Sequence, residues 1–418
     1  MAKALLKSSL LTAEISQLIH HKNSQYFQTV LALALGSAAI FANLYCLQPL
    51  LPSLAETFDK GLLDITLVFT IATFAMAGSL IFYGAMSDAI GRYWLMMLSL
   101  GGTTLVTGAM LWVEGFEQLL LLRLVQGVVL GALPAVAIAY IGDEFSPHLV
   151  PGVVGIYIAA NTLGGIGGRL LGGFIAESYQ WNDLYIVMTV LNALALLALY
   201  HWLTPPKNFS PQPLNIARAL RDIWTHVSHF ELITVYVVIG LAFGVFINLY
   251  SYLAFILVEP PFNAGSSFIG LLFVTYLAGT FASAISGWIT QRLGQLYTIF
   301  MGILVFMCGT LFLFSDDIVV TITGLTINAF GFFLAHSVSS GWVNSHARTA
   351  KASASAGYLV FYYLGASVGP ILLYPFWHTG GWHRTLIGAE VYLSLSLAIL
   401  LWLIARQRSR RPSPVVID

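Results

Sequence analysis

The ionisable side chains of this sequence fall where charge is expensive. Arg123, Arg169, His336 and Glu390 each interrupt a long apolar run. A charged group at such depth costs about 3 kcal/mol on insertion scales, and one that is retained is a functional candidate by default. Gln126 follows Arg123 by three residues, so a helix places both on one face. Tyr157, Asn161, Gly165 and Arg169 recur every fourth residue and form one polar stripe. An arginine keeps its proton, so its task would be to hold an anion or to tune a neighbour. Proton transfer would fall to the Glu390 carboxyl or to the His336 imidazole, which lies on roughly the face of Asn328 and Phe332. Each has a plainer reading. The arginines could snorkel to an interface. The histidine could be a hydrogen-bonded packing residue, and the glutamate a structural partner.

A different pattern occupies residues 84–92, GAMSDAIGR, between two apolar runs. Gly84, Asp88, Gly91 and Arg92 combine two backbone-permissive positions with two opposite charges. The glycines allow a tight turn and the approach of a neighbouring helix. Asp88 could accept hydrogen bonds from a helix N-terminus or an arginine. An echo at 287–299, GWITQRLGQLYTI, keeps the glycines but has Gln291 and Gln295 where the first copy has Asp88 and Arg92.

Other chemistries find no footing. The sequence has no GxxxxGK[ST] loop and no HExxH pair, and GGIGGR lies inside an apolar run with no strand before it. No catalytic constellation, cofactor or metal is therefore expected, and an intramembrane lipid-modifying enzyme is the disfavoured rival. Cys46 and Cys308 lie in apolar runs and imply no disulfide framework. Net charge is zero, so nothing suggests a nucleic-acid partner and none is expected. Arg406, Arg408, Arg410 and Arg411 follow an apolar run directly and suit anionic lipid.

The elements that must position these residues follow from composition. Hydrophobic residues make up 58% of the chain and charged ones 9%, with a mean hydropathy of +0.83. That surplus requires a bilayer as solvent, and the uninterrupted runs require helices rather than barrel strands. The expected fold is all-α, with twelve transmembrane helices in two six-helix parallel repeats. The spans fall near 28–50, 64–86, 93–113, 118–141, 151–175, 182–203, 231–257, 266–290, 296–315, 318–342, 353–377 and 383–405. The expected organisation is an N-terminal tail (1–27), a first bundle (28–203), a linker (204–230), a second bundle (231–405) and a basic tail (406–418). The linker's prolines favour an extended start, and NIARALRDIWTHV reads as a surface amphipathic helix. With both termini cytoplasmic, the inner side carries fourteen of the eighteen basic residues and the outer side only Lys60 and Arg384. That bias fixes the expected orientation.

The halves repeat. Asn43-Leu44-Tyr45 matches Asn248-Leu249-Tyr250, Gly84 matches Gly287, Gly127 matches Gly331, YIAANTLGGIGG matches YLVFYYLGASVG and Trp181 matches Trp382, all at offsets of 201–205. Parallel repeats of this kind rock about a shared central site.

GAMSDAIGR resembles the loop signature of the major facilitator superfamily. RLVQGVVLGA, at 123–132, resembles the span-4 signature of its proton-linked exporters. LYCLQPLLP, YIAANTLGGIGGRL and FFLAHSVSSGW are similar to phrases of YnfM-type bacterial inner-membrane exporters. The resemblance covers essentially the whole chain. It implies alternating access, a gating latch at the 84–92 loop, and a cavity lined by spans 1, 4, 7 and 10, with span 12 peripheral. Tyr45, Gln48, Asn161, Asn248, Asn328, Tyr358 and Tyr362 are then cavity candidates. The implied activity is proton-coupled export of a small organic, amphipathic solute from the bacterial inner membrane by a monomer. An uptake symporter or a uniporter is the alternative. Two features depart from the pattern: Tyr93 and Trp94 replace the usual basic residues, and TLGGIGG lacks the exporters' proline, which stands instead at Gly369-Pro370.

Overall fold

A computed structural model describes residue 19 and residues 24–206, 213–214, 216–347 and 351–409. The extended start expected for the linker lies largely outside these residues, as do the basic positions Lys3, Lys7, Lys22, Lys207, Arg348, Arg410 and Arg411. Eleven described helices are long and apolar enough to cross a membrane. The last, Ser353–Ser409, is two spans joined at Gly380 and Gly381, whose backbone is non-helical, so the crossings number twelve.

The spans are Ser24–Phe58, Leu62–Ser87, Arg92–Trp112, Phe116–Glu144, Val150–Ser178 and Trp181–Trp202 in the first half. In the second half, Phe230–Leu257, Ser266–Leu293, Gln295–Phe312 and Ile318–His346 precede the joined pair. They are called spans 1 to 12 below. The face that carries Ser24 and Ser409 is the terminal face, and the opposite one the distal face. Helix Ile216–Val227 lies in the linker, as the amphipathic pattern predicts, and leaves Leu220 and Trp224 exposed.

Span 1 differs from its expected form. Its helix ends at Tyr45, a 3-10 turn covers Gln48–Leu50, and a short helix, Leu51–Phe58, completes it. Pro49 and Pro52 explain the break: each lacks an N–H and suits only the first turn of a new helix. The break leaves backbone carbonyls without intrahelical donors, which another element must supply.

Glycine seams join the helices within each half. A Cβ on Gly168 of span 5 would lie 2.5 Å from the Ala42 carbonyl oxygen of span 1. One on Gly244 of span 7 would lie 2.6 Å from the Gly365 carbonyl of span 11. Small residues let backbones approach where lipid offers no hydrophobic drive. The repeat is thus a repeat of packing, with span 5 on span 1 and span 11 on span 7. The turn glycines repeat as well. Gly91 has φ 89° and Gly294 has φ 82°, with similar ψ of 149° and 158°, a region open essentially to glycine alone. Gly84 differs from expectation: among the described residues nothing lies within 4 Å of its hypothetical Cβ, so no described helix packs against it there.

Candidate functional site

The candidate residues separate into distinct groups. At the terminal face, Arg92 opens span 3 and pairs with Asp143 at the end of span 4. Both belong to the first half. Asp88 lies on the last turn of the helix Leu62–Ile90, but its side chain is outside the described residues. The sequence reading missed Asp143. Its signal was the GDE triplet closing a span at the same rim.

The second group lies wholly in the first half. Arg123 is buried at 0% exposure, so it does not snorkel. Its Nε donates to the Val68 carbonyl at 2.9 Å, and its Nη2 to the Leu44 carbonyl at 3.0 Å. Its Nη1 donates to the Asn43 carbonyl at 3.1 Å and to Gln126. Asn43 and Leu44 lie in the last turn before the break in span 1. Arg123 therefore supplies the donors that the break removes. Gln126 extends the network, donating to Thr107 at 2.9 Å, and Asn192 closes it on Asn43. Five spans are tied together, and all three guanidinium nitrogens are engaged.

The third group bridges the halves. Arg169 of span 5 is also buried, at 1% exposure. Its Nε donates to Gln48 Oε1 at 2.9 Å and its Nη1 to the Gly165 carbonyl at 3.0 Å. Its guanidinium carbon lies 4.0 Å from the ring centre of Tyr45, and 4.3 Å and 5.1 Å from those of Phe273 and Tyr276 in span 8. Gln48 continues across the boundary, donating to the Ile247 carbonyl and to Ser251 of span 7, both at 2.9 Å. Neither arginine pairs with a carboxylate among the described residues. Nearer the distal rim, Glu177 accepts from the Ser267 backbone N–H at 2.7 Å. In the same region a Cβ on Gly270 would lie 2.7 Å from the Arg169 carbonyl. These contacts close the distal side between the halves.

A ladder of rings leads from this cage into the second half. Tyr276 meets Phe246 at 5.1 Å, Phe246 stacks on Phe332 at 4.2 Å, and Phe332 leads through Phe243 to Tyr362. Tyr362 lies 4.7 Å from His336, whose Nδ1 is hydrogen-bonded to the Tyr358 hydroxyl at 2.8 Å. Tyr45, Gln48, His336, Tyr358 and Tyr362 thus belong to one connected region. Asn161 lies two turns from Arg169 on the same helix, half-buried, and its Oδ1 has no hydrogen-bond partner.

Three candidates stand apart from that region. Asn248 donates to the Gly244 and Ala366 carbonyls in the seam between spans 7 and 11. Asn328 is buried against Gly309 of span 9. Glu390 lies in span 12, half-buried, with Oε1 unpartnered and no recorded contact to the arginine or histidine groups. No cluster of histidine, cysteine, aspartate or glutamate among the described residues would hold a metal.

Two repeated six-helix bundles, closed on each other around a buried polar and aromatic centre, define a membrane transporter. The chain belongs to the Major Facilitator Superfamily, whose sequence profile matches residues 33–414. It is 30% identical to the MFS-type transporter YybF of Bacillus subtilis (strain 168), over 87% of this chain and 89% of YybF. It is 31% identical to the inner membrane transport protein YnfM of Escherichia coli (strain K12), over 92% of each chain. Its fold is similar to a bacterial homologue of the human lysosomal transporter Spinster, solved inward-facing and unoccupied. That match has a TM-score of 0.71 and 14% identity, and covers 95% of this chain and 100% of the other.

Proposed function

We propose that this protein exports a small organic, amphipathic solute across a bacterial inner membrane by alternating access, in exchange for protons, and works as a monomer. The observation that carries the reading is the closure of two repeated halves around Arg169, whose partners lie in both. Such a contact must be made and broken as the halves rock. The inner-membrane assignment follows the name of the relative YnfM. The His336–Tyr358 pair and Glu390 are the proton-carrying groups of this reading. His336 is favoured, because the ring ladder connects it to the cage and Glu390 lies apart. The domain limits are those read from the sequence, with the terminal face cytoplasmic because basic residues concentrate there. A reporter enzyme fused after residue 418 should be active only in its cytoplasm-competent form, and one inserted near Asn263 only in its external form. The reverse pattern would invert the assignment.

The transport reading is tested with purified protein in liposomes carrying an imposed proton gradient and a panel of candidate solutes. Exchange should follow the gradient, and its pH dependence should shift in His336→Gln more than in Glu390→Gln. The terminal-face charges act as the gating latch. Asp88→Asn and Asp143→Asn should each slow exchange while membrane expression and thermal stability hold. Solute movement indifferent to the gradient would mean a uniporter, and unaltered exchange in both rim variants would remove the latch.

A further inference from the structure

Arg123 and Arg169 are both buried and without a carboxylate, yet they are solved differently. Every nitrogen of Arg123 donates to a protein acceptor. Arg169 donates through Nε and Nη1 only, and its Nη2 is buried with no partner. Close by, in the opposite half, the Tyr276 hydroxyl is likewise buried and unpartnered, while its ring contacts the guanidinium. A buried charge without compensation costs several kcal/mol, and an unmet donor beside it adds to that cost. The fold retains both in one place, at the boundary where transport requires movement.

We infer that the Arg169 cage binds a carboxylate group of the transported solute. The Nε and Nη1 positions are already used, and aromatic rings pack against the guanidinium, so the unfilled donor is Nη2. One carboxylate oxygen accepts from Nη2 and the other is within the reach of a tyrosine hydroxyl such as Tyr276. Arg169 is surrounded by Gln48, Gly165, Tyr45, Phe273 and Tyr276, and a single cation so placed matches a single negative charge, which favours a carboxylate over a phosphate. The ladder that begins at Tyr276 and Phe246 gives the rest of the solute an aromatic or aliphatic wall. Because Arg169 belongs to the first half and Tyr276 to the second, the bound anion ties the halves together. This inference rests on the transport reading but adds the chemical class of the solute.

The test is equilibrium binding to the purified full-length chain in nanodiscs, with no gradient imposed, using radiolabelled benzoate as the probe. Octanoate should compete, whereas benzamide, the neutral counterpart of benzoate, should not. Arg169→Gln should weaken benzoate binding by more than about tenfold, as expected for losing a charged hydrogen bond. Arg169→Lys should retain part of the affinity. Tyr276→Phe, which keeps the ring and its packing, should weaken benzoate alone by several-fold and leave elution profile and thermal stability unchanged. No saturable binding to the parent protein, equal competition by benzamide, or full benzoate affinity in both Arg169→Gln and Tyr276→Phe would each overturn the inference. Failure of gradient-driven exchange with binding intact would fault the coupling alone. Exchange of neutral solutes with no carboxylate binding would fault the anion site alone.

Discussion

Arg123→Ala is expected to deplete the folded protein rather than to change what it carries. The substitution removes donors from three backbone carbonyls and from Gln126, at a site with no measurable exposure. Breaking a buried polar network of this kind costs about 3–5 kcal/mol. On the ~2 °C per kcal/mol of a large domain, the melting temperature should fall by roughly 6–10 °C. Membrane expression and thermal melting in detergent, followed by size-exclusion chromatography, measure it directly. Arg123→Lys should recover little, because an ammonium cannot reproduce the planar fork that reaches Val68, Asn43 and Leu44 together. A variant that melts with the parent but no longer exchanges solute would move Arg123 from the scaffold into the transport site.

Gly270→Val should instead spare each half and disturb their closure. Gly270 stands where span 8 crosses span 5, and its hypothetical Cβ falls 2.7 Å from the Arg169 carbonyl and 3.5 Å from Gly173. Overpacking a tight contact costs about 1–3 kcal/mol. Applied to one state of a two-state carrier, that shifts the equilibrium by about 5–150-fold. The distal side should then stay open and exchange should fall by a comparable factor. Ser251, buried behind the closure, reports it. In a background with Cys46 and Cys308 replaced, Ser251→Cys should resist a membrane-impermeant maleimide added at the distal face. The same cysteine should be labelled once Gly270→Val is present. Protection and exchange both unchanged would show that this crossing does not gate the distal side.

Much of the fold was legible from the chain itself. Bilayer thickness sets the length of an apolar run, and a helix is the only way such a run satisfies its backbone, so hydropathy alone located the twelve crossings, although span 1 runs on to Phe58, past its expected end at 50. The internal repeat was legible because backbone approach demands glycine whatever the neighbouring side chains are. Gly91 and Gly294 take the same left-handed turn although the charges around them differ. In span 5, Gly164, Gly168 and Gly172 recur every fourth residue, and all three lie against the backbone of span 1.

What each buried charge faces was decided only in three dimensions. Arg123 and Arg169 look alike in sequence, each in an apolar run beside polar residues at helical spacing. One turns into its own half, toward carbonyls freed by a proline-induced break in a different span. The other turns toward the second half, where Phe273 and Tyr276 come from about a hundred residues further along the chain. Helical periodicity fixes which residues share a face but not which element that face meets. The partner of a membrane arginine is therefore set by helix rotation and close packing. The repeat did hint at one member of the cage surroundings: Tyr250, whose ring lies 5.1 Å from that of Tyr276, is the counterpart of Tyr45. Nothing local marked Tyr276, because its contact with Arg169 joins segments far apart in the chain.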